Sequence, residues 1–173
     1  QKLVDMDFSG CLGTLRHYER LYPWARDVVR EKAIAEFWQE RLRKVNWDKT
    51  RVEECLELWR GFEEQFGPVR SEHGIEQQLQ KTLFLRLAGR LDATGKGKAE
   101  LEDGTPTGLV FLLAEKADQA IAHLQALIST RPNHGGIYGY LGDAYALRGD
   151  VRTARICYRE AFVMGPGQVD ITH

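Results

Sequence analysis

Apolar and small side chains recur at intervals of three and four residues through most of the chain, a period that predicts helices rather than strands. The clearest run is Tyr138, Leu141, Gly142 and Tyr145, followed by Ala154, Tyr158, Ala161 and Phe162. Between the two groups, Gly149 offers a left-handed stop and Asp150 an N-cap, and Pro166 closes the second helix. A helical hairpin is the simplest reading. The pattern also occurs one period earlier. Gly108, Phe111, Ala120, Leu124, Leu127 and Pro132 lie 34 residues before Gly142, Tyr145, Ala154, Tyr158, Ala161 and Pro166. This predicts a first helix over about 106–115 and a second over about 116–130. The preceding stretch from Asp92 to Gly104 is rich in glycine and charge, and reads as a loop.

Near the N-terminal end, small, large and large residues at Cys11, Leu15 and Tyr18, followed by Pro23, repeat the spacing of Ala154, Tyr158, Ala161 and Pro166. Residues 7–23 therefore read as the second helix of a hairpin whose first helix is missing, and the sequence is expected to begin inside a longer array. The middle departs from this period, because Pro23, Pro68 and Pro132 are widely and unevenly spaced. Long helices are predicted over about 24–44, 48–66 and 71–91, with Asp48 and Ser71 as N-caps. Trp38, Trp59, Phe62 and Phe66 are candidates for their core. The tryptophans at 24, 38, 47 and 59 fit a large helix–helix core better than an aromatic-lined groove. If the middle helices also pair, the chain holds about seven helices.

Residues 132–166 resemble the tetratricopeptide repeat family, whose 34-residue pattern runs aromatic, Leu-Gly, Tyr, Ala, aromatic, Ala and Pro. The matching residues are Tyr138, Leu141-Gly142, Tyr145, Ala154, Tyr158, Ala161 and Pro166. The resemblance is clear over 106–166 and partial over 7–23, with irregular long helices at 24–91 and a loop at 92–105 between them. It implies one all-α helical-repeat domain, 1–173, coiled as a right-handed α-α superhelix. It also implies a concave groove lined by the first helix of each pair. That groove would present Gly136, Gly139, Tyr140, Asp143 and Leu147, with Leu109, Leu112 and Leu113 from the preceding pair. Family members that grip a C-terminal carboxylate use Lys, Asn and Arg along this face; here the places hold Gly139, Tyr140 and Asp143. The clamp is absent. The resemblance thus implies a scaffold or adaptor that takes a peptide or an amphipathic helix of another protein. The alternatives are an accessory helical domain of a larger enzyme and an oligomerisation module. The groove could also be filled by the chain's own continuation, into which Val169-Asp170-Ile171 would lead.

Charge and composition narrow the classes further. Lysine and arginine number 24 against 25 acidic residues, for a net charge of -1 over 173 residues. A protein that neutralises many phosphates shows a basic excess, so nucleic acid is not expected as a partner, and Arg41, Arg43 and Lys44 read as a solvated helix face. The longest uncharged stretches, such as Gly104 to Ala114, fall well short of the roughly 20 residues a spanning helix needs, so no membrane insertion is expected. A cytoplasmic location is the default expectation. Cys11, Cys55 and Cys157 form no Cys-x-x-Cys pair and read as small buried hydrophobes.

The histidines at 17, 73, 123, 134 and 173 form no metal-ligand spacing, and His134 reads as a turn residue. Gly89 to Lys96 has one residue too many for a phosphate loop, lacks the following Ser or Thr, and follows a helix rather than a strand. Neither a catalytic residue nor a cofactor site is predicted.

Overall fold

The computed structural model describes residues 6–24, 28–46, 49–67, 75–93 and 98–165. Among them are eight helices: α1 (Phe8–Leu21), α2 (Val29–Leu42), α3 (Val52–Phe66), α4 (Ile75–Ala93), α5 (Thr107–Leu113), α6 (Ala117–Thr130), α7 (Gly135–Leu147) and α8 (Val151–Met164). The described residues contain no strand, and one isolated bridge joins Glu100 and Pro106. The protein is all-α. The chain divides into two compact units, residues 1–79 and 80–173, and the division falls within α4.

In the first unit α1 opens on a side-chain cap, with the Gly10 N–H donating to Asp7 Oδ1 at 2.9 Å. Its buried residues are Phe8 and Leu12, while Cys11, Leu15 and Tyr18, the row marked by the sequence, are all half-buried. α1 packs on α2, where Lys32 pairs with Glu19 at 3.0 Å and Gln39 donates to Ser9 Oγ at 2.7 Å.

The core of this unit is aromatic. Trp38 and Trp59 stack with ring centroids 5.8 Å apart, and Phe62 lies 5.3 and 5.1 Å from them. All three are buried, whereas Phe66 is half-buried and meets Phe37 edge-on. Trp24 is exposed, and Trp47 lies outside the described residues.

Two middle helices begin later than expected. Pro23 and Trp24 form a turn, and α2 starts at Val29. The Asn46 N–H bonds to Thr50 Oγ1 at 2.9 Å and the Thr50 N–H to the Asn46 carbonyl at 2.7 Å. That turn postpones α3 to Val52, behind Arg51, which makes no side-chain cap. The expected caps Asp48 and Ser71 lie outside the described residues.

The second unit contains two hairpins in the same register. α6 and α8 are both 14 residues long and start at Ala117 and Val151, 34 positions apart. α5 and α7 end at Leu113 and Leu147, the same interval. Each pair turns through the same C-cap. After α7, the Asp150 N–H bonds to the Tyr145 carbonyl and the Gly149 N–H to the Ala146 carbonyl, both at 2.9 Å. After α5, Lys116 bonds to Phe111 and Glu115 to Leu112 at the same distances. The turn residue is left-handed in both, Gly149 at φ +88° and Glu115 at φ +57°. Asp150 then caps α8, with the Thr153 N–H donating to Oδ1 at 3.1 Å and the Thr153 hydroxyl to Oδ2 at 2.7 Å. These bonds hold the Asp150 carboxyl below its ordinary range.

α5 is shorter than α7 because an ordered turn replaces its first half. The Thr107 hydroxyl donates to the Lys98 carbonyl at 2.7 Å, and Asp103 takes both the N–H and the hydroxyl of Thr105. Pro106, with no N–H to give, stands at the N-cap position.

Candidate functional site

α7 is apolar and small-residued on nearly every side: Ile137, Gly139, Leu141, Gly142, Ala144 and Tyr145 are all buried. A helix apolar all round belongs inside a structure, and α7 packs against α5, α6 and α8. The residues of α7 that keep surface are Tyr138, Tyr140, Asp143, Ala146 and Leu147, of which Tyr140, Asp143 and Leu147 form one stripe spaced three and four. Gly136 is buried, Tyr140 and Asp143 are half-buried, and Leu147 is 44% exposed, so the stripe opens towards the C-terminal end of α7.

The structure separates the eight candidate groove residues into three groups. Gly136, Gly139 and Leu109 are buried among the helices and offer no surface to a partner. Tyr140, Leu112, Leu113 and Leu147 keep part or much of their surface open. Asp143 is engaged within the molecule: the Tyr158 hydroxyl of α8 donates to its Oδ1 at 2.7 Å. Burial raises the Tyr158 phenol well above its ordinary value, and the bond to the Asp143 carboxylate adds to the shift. The acid expected to face a partner is thus tied to the neighbouring helix. Leu113 and Leu147 occupy equivalent positions, each the last residue of its helix.

Closer packing fixes the backs of these helices. A Cβ on Gly108 would stand 2.5 Å from Leu124, and one on Gly142 would stand 2.4 Å from the Tyr158 ring. Gly108 and Gly142, like Leu124 and Tyr158, are 34 positions apart, so the close approach repeats. Tyr138, expected as the first aromatic of the core, is half-buried, and Ile137 takes the fully buried place.

The outer side of α8 is open in a way the sequence did not suggest. Phe162, expected in the hairpin core, is 70% exposed, and Tyr158 is 38% exposed. Ala154, Cys157 and Ala161 form the buried face instead. Burial pushes the Cys157 thiol above its ordinary value, as suits a small buried hydrophobe. Cys55 is likewise buried, and Cys11 is half-buried.

Among the described residues, no group of histidine, cysteine, aspartate and glutamate is arranged to hold a metal ion. No described helix is long and apolar enough to cross a membrane. His123 stacks on Phe111 with ring centroids 4.7 Å apart, and His134 stands at the N-cap position of α7. Comparison of the chain with known families, with characterised proteins and with solved structures returns no match.

Proposed function

We propose that this chain is a protein-interaction module of tetratricopeptide type, and that the open row of α7, continued onto α5, takes a peptide or helix of another protein. One observation carries the reading. α7 is packed against three helices, yet Tyr140 and Leu147 stay accessible, and Leu113, half-buried like its neighbour Leu112, is the counterpart of Leu147 34 positions earlier. An accessible apolar row on an otherwise enclosed helix is the usual mark of a docking surface. The face that would receive a partner is smaller than the eight residues expected from the sequence. It consists of Leu112, Leu113, Tyr140 and Leu147, with Asp143 as a wall held by Tyr158.

The test uses a displayed library of random peptides, selected on the intact chain. Selected peptides should lose at least about ten-fold in affinity on Leu147→Lys or Leu113→Lys, since a lysine at an apolar contact must be desolvated. Both residues retain surface, so circular dichroism should show the fold unchanged. Selection that yields nothing, or peptides indifferent to both substitutions, would remove the row as a binding surface.

A further inference from the structure

We propose that the outer stripe of α8, made of Arg155, Arg159 and Phe162 beside Tyr158, is a second docking surface, for an acidic amphipathic helix of another protein. The template for the occupant lies within the molecule. α6 and α8 share length and register, and each packs against the helix that precedes it. α6 is also covered on a second side by the helix that follows, α7. One point of that contact is Gln125, which donates to the Tyr145 hydroxyl of α7 at 2.8 Å; Ile121, buried, and Ile128, half-buried, stand four residues before it and three after it on the same helix row. Moved by 34 positions, the same stripe on α8 is Arg155, Arg159 and Phe162. Leu124, fully buried beside the α6 stripe, becomes Tyr158, 38% exposed beside the α8 stripe. The α6 row that carries the Gln125–Tyr145 bond therefore has an exposed counterpart on α8.

Charge selects the occupant. Where α6 offers Ile121 and Gln125, α8 offers two arginines, with a third, Arg152, one turn earlier. Among the described residues no carboxylate pairs with Arg152 or Arg155, and Arg159 meets only its neighbour Glu160 at 3.4 Å. A helix lying on α8 as α7 lies on α6 would cover Phe162 with its apolar side and needs carboxylates along one edge. A second copy is a poor occupant. An antiparallel two-fold pairing of α8 stripes would set the central Arg159 against its own copy, with repulsion at the centre of the contact. This surface is separate from the α5 and α7 row, so either can fail while the other stands.

The probe is a synthetic peptide copying residues 133–149 and locked helical by a lactam bridge, since a helix this short is marginal alone. One version carries Tyr145→Glu, which would face Arg159, and the other Tyr145→Lys. Fluorescence anisotropy with the full chain should show the glutamate version binding at least about ten-fold tighter at low salt, with the difference shrinking at high salt. Phe162→Ser and Arg159→Glu, both at exposed sites, should each abolish that binding and leave the circular dichroism unchanged. Equal binding of the two peptides, binding of neither, or binding that survives both substitutions would overturn the proposal. So would a concentration-dependent dimer that Phe162→Ser dissolves, which gives the stripe to a second copy. Sedimentation with phosphatidylserine vesicles that Arg155→Glu abolishes, without peptide binding, would give it to a membrane surface.

Discussion

Gly142 leaves no room for a methyl group. A Cβ there would lie 2.4 Å from one Tyr158 ring carbon and 2.6 Å from the next, so the ring that now donates to Asp143 must shift. Gly142→Ala should therefore destabilise by about 1–3 kcal/mol in urea unfolding. In a Tyr158→Ala background the obstacle is gone, and the same substitution should cost at least about 1 kcal/mol less. A cost that stays the same in both backgrounds would mean that the ring is not what confines Gly142. Gly135 is confined differently, because its Cβ would meet backbone: the Ala161 carbonyl at 2.8 Å and Gly165 N at 3.0 Å. No side-chain deletion can relieve that contact. The sequence marks Gly142 and Ala154 as places of close approach, through their small size in helical register. It cannot tell which residue of the facing helix fills the space, since spacing gives the face of one helix and says nothing of its partner's height. Hence Tyr158 was expected as core filling beside Phe162. It proves to be a half-open ring lying over Gly142, and Phe162 points away.

The helix ends of the second unit show the same limit from another side. The stop at Gly149 is readable because glycine favours the left-handed turn. Its counterpart Glu115 stands in the same turn, closed by the Glu115 and Lys116 N–H groups, with a side chain that disfavours that conformation, and only the register of the hairpins points to it. Glu115 also pairs with Lys81 of α4, and Asp92 at the end of α4 takes Gln119 at 3.1 Å and Lys116 at 3.4 Å. His123 lies on α6 beyond this group, stacked on Phe111. Burial lowers its pKa, and the charge of Asp92 opposes part of that shift. The sign of the effect follows. A lowered value in the fold means the unfolded chain takes up the proton first, so stability is full above the ordinary value of 6.5 and is lost as pH falls below it. Urea midpoints measured from pH 8 downwards should hold above neutrality and decline through the acid side of that value. His123→Gln should flatten the part of the decline nearest neutrality, where the carboxylates are still ionised. A decline of unchanged slope in that variant would assign it to other groups.

At the scale of the whole molecule, the helical class was readable from a period of three and four, but the division into two units was not. The hairpins of residues 107–164 follow one register because small residues recur every 34 positions. In residues 1–79 no such period exists, and α2 meets α3 through the large rings of Trp38, Trp59 and Phe62. Rings of that size identify a core without indicating the order or angle of the helices around it. Within the second unit the packing order makes a prediction of its own. α7 touches three helices, whereas the outer side of α8 is open. Opening α7 therefore requires breaking most of the unit's contacts, while the C-terminal end of α8 can fray at the cost of one interface. Amide hydrogen exchange followed by mass spectrometry should find peptides from α7 exchanging slowest in residues 98–165, and those from the second half of α8 clearly faster. Gly135→Ala strikes where the start of α7 meets the end of α8, so it should speed exchange in both helices together. If α8 responded alone, the contact at Gly135 would be local fraying, and α7 could not be the element on which the unit's stability rests.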